Sequence, residues 1–300
     1  MAESKKQHYV PQFYLRNFSK DGKTIGCCHC KIEEKRSIII NEAPIKFQAC
    51  KDYFYTKDVR LEKEFSKVEG QANILIKKIL SSEQIRLTAY EEESLKQYIF
   101  FQHIRTPFYA NEHESMMVQF YHQIAPEDKD VEIKLEGKQI FVLQTFLPKI
   151  AEFVKPFRAI ILENKTDLPF VTSPEPVILL NPYQIKRKNY IFGSATHGSM
   201  YYIPLSSKKA IILYNPLAYK MKGRHMASCS LTDVAYLNIQ IVDFVGRTKI
   251  NQFFFDNNIV DFRPIARSIL QYGKEVVELS FAKERVRIWE LLRRRLIIRK

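Results

Sequence analysis

The chain has 300 residues, a length that suits one large domain or two small ones. Hydrophobic residues make up 46% of it and aromatic residues 13%, so it can bury a large core and a globally disordered chain is excluded. The formal net charge is +14, and a positive field of this size attracts polyanions such as nucleic acids. The same charge also serves solubility, so both interpretations stay open.

The cysteines and the first residues bear on the cellular compartment. Three of the five cysteines lie close together at Cys27, Cys28 and Cys30, unlike the framework of a secreted disulfide-bonded protein. MAESKKQHY has no apolar segment of a signal peptide, and no apolar run reaches the roughly 18 residues of a membrane span. We therefore expect a cytoplasmic protein with reduced thiols. An anionic membrane surface is a weaker alternative partner than nucleic acid.

Residues 1–60 predict an N-terminal motif followed by a hairpin. Pro11 fixes its own φ and favours extended geometry at Val10, and a short helix is expected from Pro11 onward. The strand-like stretches KTIGCCHCKI and RSIII then pair across the charged EEK. The aromatic residues expected to pack in the core are Phe13, Tyr14 and Phe18.

Residues 61–155 predict a helical part. The first helix shows apolar residues at steps of three and four: Phe65, Val68, Ala72, Leu75 and Ile79. The second begins at a capping box of Thr88 and Glu91 and ends before Pro107. Two further helices follow, and Pro148 kinks or breaks the second of these.

The remaining chain predicts strands and then helices. Short β-rich runs such as FRAIILEN, PFVTS and KAIILYN occupy residues 156–220, and helices return over residues 230–300. The order of hairpin, helices, antiparallel strands and helices predicts an α+β fold, with an antiparallel β-sheet flanked by helices. We expect a single domain over residues 1–300.

Several short motifs are similar to those of a known family. The most specific is HYVPQFYLRNF at residues 8–18, and later pieces agree in order: CKDYFYT, RTP, FVTSPEPVIL, YIPLSSKKAIIL and LNIQIV. With these motifs the chain resembles the DUF4238 family, bacterial and fungal proteins of unassigned biochemical function. Such proteins often read Thr-Ser-Asp-x-Pro at the middle motif, where this chain has Pro174 at the aspartate position and Glu175 one residue later. The resemblance implies no mechanism.

The opening motif offers three polar side chains for a site. His8 can act as acid, base or ligand near neutral pH, and the Arg16 guanidinium can hold phosphate or carboxylate. Gln12 lies four residues before Arg16 and would share its helical face. The alternative is structural: His8 bonds a backbone carbonyl, and Arg16 pairs with a carboxylate.

Two later motifs add candidates. Arg105 lies at a helix-to-loop corner, where functional residues are common, although a helix C-terminus also attracts cations without any function. Thr172, Ser173 and Glu175 project from a turn stiffened by prolines, where Glu175 would orient water or bind a divalent metal. The predicted pocket is lined by His8, Gln12, Arg16, Arg105 and Glu175. In it, His8 and Glu175 are the candidate catalytic residues and the others bind, together with Thr172 and Ser173.

The CCHC run is a weak zinc candidate. Cys27 and Cys30 have the spacing of one ligand pair, but the sequence has no second pair, and strand alternation would direct the two to opposite faces. We expect small, partly buried thiols there and leave the cofactor unassigned, with a divalent metal as the open alternative. HExxH, P-loop, GxSxG and Gly-rich dinucleotide motifs do not occur, which disfavours zincins, P-loop NTPases and serine esterases.

The last 18 residues, KERVRIWELLRRRLIIRK, carry eight Lys and Arg against two Glu, a net charge of +6. They predict the end of a long basic amphipathic helix over about residues 272–298, with Arg293, Arg294 and Arg295 contacting phosphate. We therefore expect a nucleic-acid-acting protein, a nuclease-like effector in microbial defence. The alternatives are a non-catalytic nucleic-acid-binding or regulatory module and an enzyme acting on a small phosphorylated metabolite. A closed pocket would favour the metabolite, and an open basic groove would favour a polynucleotide.

Overall fold

The computed structural model describes residues 6–31, 36–55, 59–128, 133–186, 196–223, 225–247, 251–258 and 279–284. The helices in this part of the chain are α1 (Gln12–Leu15), α2 (Val59–Ser81), α3 (Ala89–Ile104), α4 (Pro107–Ile124), α5 (Lys138–Phe146), α6 (Ile150–Val154), α7 (Pro182–Lys186) and α8 (Leu231–Arg247). The strands are β1 (Lys6–His8), β2 (Thr24–Lys31), β3 (Arg36–Pro44), β4 (Cys50–Asp52), β5 (Arg158–Asn164), β6 (Ile178–Leu180), β7 (Met200–Pro204), β8 (Lys209–Tyr214), β9 (Tyr219–Met221), β10 (Met226–Cys229), β11 (Gln252–Phe255) and β12 (Ala282–Glu284).

A five-stranded sheet in the order β10-β5-β8-β7-β6 lies at the centre of the fold. Its pairs are antiparallel except β10–β5, which is parallel. Successive strand residues point to opposite sides of the sheet, and the side chains on both sides are buried. Ile161 and Ile211 share one core with residues of α3, whereas Ile160 and Ile212 share the other with residues of α8. The predicted α+β fold, a sheet flanked by helices, is confirmed, while the single-domain division stays a prediction.

The predicted hairpin is also confirmed. Strands β2 and β3 pair antiparallel, and β11 joins the other edge of β2 in a three-stranded sheet. The register shifts between Ile25 and Cys27, at Gly26. A Cβ at Gly26 would lie 2.4 Å from the Phe255 ring, so only glycine lets this buried ring lie across the strand.

The helical signals of residues 61–155 correspond to observed elements. Thr88 and Glu91 form the capping box at the start of α3, and α3 ends at Ile104. The helix with Pro148 is broken there into α5, a 3-10 turn and α6. In α2, Val68 departs from the expected buried stripe, because 40% of it is exposed.

Two expectations about strands and helices need correction. The PFVTS run forms no strand and makes only an isolated bridge between Thr172 and Phe254. The long basic helix expected from about residue 272 does not run unbroken, because Ala282–Glu284 form β12, antiparallel to β9. The rest of that prediction, with Arg293, Arg294 and Arg295, lies outside the described residues.

None of the helices in the described part of the chain combines the length and the apolarity that crossing a bilayer requires.

Candidate binding cleft around His8

A cleft of about 470 Å³ lies between the opening motif, α2 and the end of α3. Its lining includes Lys6, His8, Gln12, Arg16, Glu69 and Arg105, and we call it the His8 cleft. Four of the five residues of the pocket predicted from the sequence therefore converge, although Arg105 lies far from the others along the chain. Glu175 is not among the lining residues.

Arg105 ties the walls of the cleft together from a buried position. Its Nη2 donates to the carbonyl of His8 at 2.8 Å, its Nη1 to Glu69 Oε1 at 2.6 Å, and its Nε to the hydroxyl of Tyr55 at 2.9 Å. The guanidinium also lies over the ring of Phe101, 4.8 Å from its centroid. Burial lowers the pKa of Arg105, but Tyr55 and Glu69 more than offset this, so the side chain keeps its charge.

His8 ends β1 and is half-buried in the wall of the cleft. Its Nε2 atom is buried and has no hydrogen-bond partner among the described residues. Burial lowers the pKa of His8 below its usual 6.5, against the charge of Glu69 and hydrogen bonds from the ring to the backbone of Ile45 and Lys46. The structural alternative, in which His8 bonds backbone carbonyls, therefore holds for the rest of the ring. Because its pKa is lowered, the imidazole is neutral at pH 7, the form that accepts a proton as a general base.

Gln12 and Arg16 lie on one helical face, as their spacing predicts. Arg16 Nη2 donates to Gln12 Oε1 at 3.0 Å, and Arg16 Nε donates to the carbonyl of Gly22 at 3.3 Å. Both acceptors are uncharged, so these contacts orient the exposed guanidinium without neutralising it. An anion entering the cleft would meet this oriented fork.

Glu175 has a different environment from the one expected. It is buried, and its Oε1 accepts from the backbone N–H of Phe108 at 3.1 Å, in the first turn of α4. Burial raises the pKa of Glu175 to about 8, against opposing hydrogen bonds from Thr106 and Phe108. The Thr106 hydroxyl also donates to the carbonyl of His103 at 3.1 Å. Glu175 is therefore a buried cap on the first turn of α4, and its raised pKa favours the neutral form at pH 7.

Thr172 and Ser173 are completely buried and hydrogen-bonded within the protein. The Thr172 hydroxyl lies 2.8 Å from the hydroxyl of Tyr14, and the Thr172 backbone pairs with Phe254. Ser173 Oγ donates to the carbonyl of Glu175 at 2.7 Å and accepts from the Glu175 N–H at 3.1 Å. These contacts connect the middle motif to the opening motif, and neither residue lines the His8 cleft.

The CCHC run lies in β2, apart from the His8 cleft. Cys27 and Cys28 are buried in different cores on opposite faces of the strand. Cys27 Sγ accepts from Gln252 Nε2 at 3.0 Å. No group of three or more His, Cys, Asp or Glu among the described residues is arranged to hold a metal ion.

Sequence reasoning missed several residues of the cleft, and three of them are Tyr55, Lys6 and Glu69. Tyr55 belongs to the CKDYFYT motif, so that motif was the available signal. Lys6 precedes the opening motif and Glu69 lies on α2, and neither shows a local pattern that marks it. Glu69 matters because its carboxylate offsets one of the cleft's positive charges.

Comparison with known proteins gives one match. The sequence model of a family described as a protein of unknown function, DUF4238, matches residues 6–257. No curated protein and no solved structure matches the chain. The match spans the opening motif, the helices, the central sheet and α8, and therefore every described residue of the cleft.

Proposed function

We propose that this chain, which belongs to the DUF4238 family, binds a phosphate-bearing ligand in the His8 cleft. The observation that carries the proposal is the convergence of Arg16, Gln12 and His8 around a cavity of about 470 Å³. Cavities of roughly 300–1,000 Å³ are typical of small-molecule sites, so the ligand is a phosphorylated metabolite or one nucleotide unit.

The charges of the cleft favour an anion. The lining of the cleft includes three cationic side chains, Lys6, Arg16 and Arg105, and one carboxylate, Glu69. Arg105 is paired with Glu69 at 2.6 Å, whereas the hydrogen bonds of Arg16 go to uncharged acceptors, so in this proposal Arg16 is the main attraction for an anion. Arg16 presents a planar fork that matches two phosphate oxygens, and Gln12 holds it in place.

His8 is the group that could add chemistry to binding. Its neutral imidazole has a buried Nε2 atom with no partner among the described residues. Leaving such an atom unpaired costs about 1–3 kcal/mol, a cost that a ligand hydroxyl or phosphate proton would relieve. In this proposal His8 takes a proton from the bound ligand or from a water beside it.

A second candidate function rests on a separate observation, the net charge of +14. In it the protein is cytoplasmic and acts on nucleic acid, with one backbone phosphate in the His8 cleft and neighbouring phosphates on the basic tail. A nuclease-like effector, with His8 transferring the proton, is the catalytic form of this candidate, and a binding module is the non-catalytic form. Glu175 has no role in either form, because its observed contacts are those of a buried helix cap.

Replacing Arg16 with glutamine should weaken the binding of methyl phosphate or a nucleoside monophosphate by about 10- to 100-fold. The reason is that a charge-assisted hydrogen bond contributes about 1.5–3 kcal/mol. Titration calorimetry on the full chain measures the effect. Arg86→Gln, an exposed arginine outside the cleft, is the matched control and should leave the affinity unchanged. An Arg16→Gln protein that binds these ligands as tightly as the parent would contradict the proposal.

The nucleic-acid candidate predicts a steep salt dependence of oligonucleotide binding. Replacing Arg293, Arg294 and Arg295 with glutamine should flatten the slope of log K against log salt by about 0.7 to 0.9 per lost phosphate contact. Fluorescence anisotropy across a salt titration measures this slope. The control triple, Lys77, Lys149 and Lys155 to glutamine, removes the same charge elsewhere. Equal salt slopes for the two triple variants would mean that the tail arginines contribute only to the overall positive charge and contact no phosphate. If the protein binds no oligonucleotide at any salt concentration, the nucleic-acid candidate is wrong.

A further inference from the structure

A second cavity adjoins the His8 cleft. It has a volume of about 550 Å³ and lies between α2 and α3, and Leu147 and Ile150 also line it. We call it the α2–α3 groove. Its floor is apolar and aromatic: Phe65, Ala72, Leu75, Tyr98 and Phe101. Val68, the α2 residue that departs from the buried stripe, lines this groove and is 40% exposed.

The two cavities meet at aromatic side chains. Phe65 lines both of them. Phe13 of the cleft and Tyr98 of the groove are in contact, with ring centroids 6.2 Å apart. The Arg105 guanidinium, in the cleft, lies over Phe65 and Phe101 at 5.7 and 4.8 Å from their centroids. The two cavities therefore share a wall of aromatic side chains.

The acidic residues at the rim of the groove are neutralised within the protein. Glu64 pairs with Lys67 at 2.7 Å, and Glu93 pairs with Lys96 at 2.7 Å and accepts from Gln97. Both acidic side chains among the described lining residues are therefore paired, and the floor of the groove favours an apolar chain. No lysine or arginine is among the described residues that line the groove, whereas Arg16 lines the cleft.

One polar atom of the groove also points to a ligand. Tyr98 is 2% exposed, and its hydroxyl is buried with no hydrogen-bond partner among the described residues. A buried hydroxyl normally finds a partner, and one without it marks a place where a missing group would bind. Tyr98 contacts Phe13 where the two cavities meet, so an ester oxygen between a head group and an apolar chain would lie nearby.

We propose that the His8 cleft and the α2–α3 groove together bind a soluble, single-chain phosphate monoester, with the phosphate beside Arg16 and the alkyl or prenyl chain along the groove. This rests on the proposed function, because the cleft end holds the phosphate, and it names the class of ligand. The adjoining cavities, the paired acidic side chains of the groove and Arg16 at the cleft end are the features that select an amphiphile with an anionic head.

The test compares methyl phosphate, octyl phosphate and octanol, each below its aggregation concentration, by calorimetry on the full chain. Octyl phosphate should bind at least about 100-fold more tightly than methyl phosphate, since each buried methylene contributes about 0.8 kcal/mol and about half of the chain would be buried. Val68→Trp should fill the groove and reduce this advantage below about tenfold, with the affinity for methyl phosphate unchanged. Ile74→Trp, on the same helix but 73% exposed and outside the groove, should change neither.

The outcomes separate this inference from the proposed function. Equal affinities for octyl and methyl phosphate would overturn the inference and leave the phosphate site standing. The inference would also be overturned if octanol bound as tightly as octyl phosphate and Arg16→Gln changed neither affinity. The phosphate head group would then have no role in binding. Binding only to vesicles containing phosphatidic acid, without binding of monomeric octyl phosphate, would point to a membrane surface instead. If neither phosphate ester binds, the proposed function itself fails.

Discussion

Replacing Arg105 with methionine should lower the free energy of unfolding by about 3–5 kcal/mol, the usual effect of removing one partner of a buried ion pair. The Arg105 side chain is 2% exposed, and its loss leaves the Glu69 carboxylate and the carbonyl of His8 without their donor. Methionine keeps part of the contact with Phe65 and Phe101, so the loss reports mainly on the polar contacts. Urea unfolding followed by far-UV circular dichroism measures the change.

A matched control and a double-mutant cycle test whether the stability lost in Arg105→Met comes from its ion pair with Glu69. Arg86→Met removes an exposed arginine and should change the stability by less than about 0.5 kcal/mol. Adding Glu69→Gln should cost less in the Arg105→Met background than in the parent, because the orphaned carboxylate is then already uncompensated. If Arg105→Met unfolds within about 1 kcal/mol of the parent yet loses phosphate binding, Arg105 is a ligand-binding residue and its structural role is refuted.

Replacing Glu175 with glutamine should stabilise the protein at alkaline pH, by up to about 4–5 kcal/mol at pH 9. Burial raises the pKa of Glu175 in the folded protein to about 8, from an ordinary 4.5. The unfolded chain therefore ionises first, so stability is lost as the pH rises between about 4.5 and 8. Glutamine can accept from Phe108 N–H and donate to Thr106 without carrying a charge.

The measurement for Glu175→Gln is the difference in unfolding free energy between the variant and the parent, from pH 4 to pH 9. Taking the difference cancels the contributions of other titrating groups, such as His103, whose pKa is lowered by desolvation to about 4. The difference should be small at pH 4 and should grow with pH, whereas the exposed Glu83→Gln should give a flat difference. A flat curve for Glu175→Gln would mean that the carboxyl ionises normally and is available for metal or proton chemistry.

Local pattern was enough to predict much of the secondary structure. The capping box of Thr88 and Glu91, the break at Pro148 and the hairpin each depend on residues a few positions apart. The pairing of Gln12 with Arg16 is local in the same sense. Such features follow from the φ angle of proline and from hydrogen bonds within one turn, so they need no information about distant residues.

The roles of the later motifs depend on contacts that the spacing of residues does not encode. The sequence by itself marked Arg105 and Glu175 as polar residues at corners, and only the tertiary structure decided what surrounds them. Arg105 meets Glu69 and His8 across 36 and 97 positions of the chain, which commits three of its donors within the protein. Glu175 is buried at the start of α4, 67 positions from Phe108, where an ionised carboxylate is costly. Polar groups lose their contact with water, and hydrogen-bond donors find partners within the protein, only when distant segments pack together. For this protein the local sequence pattern therefore determined the helices and strands, whereas the packing determined which polar groups remain to bind a ligand.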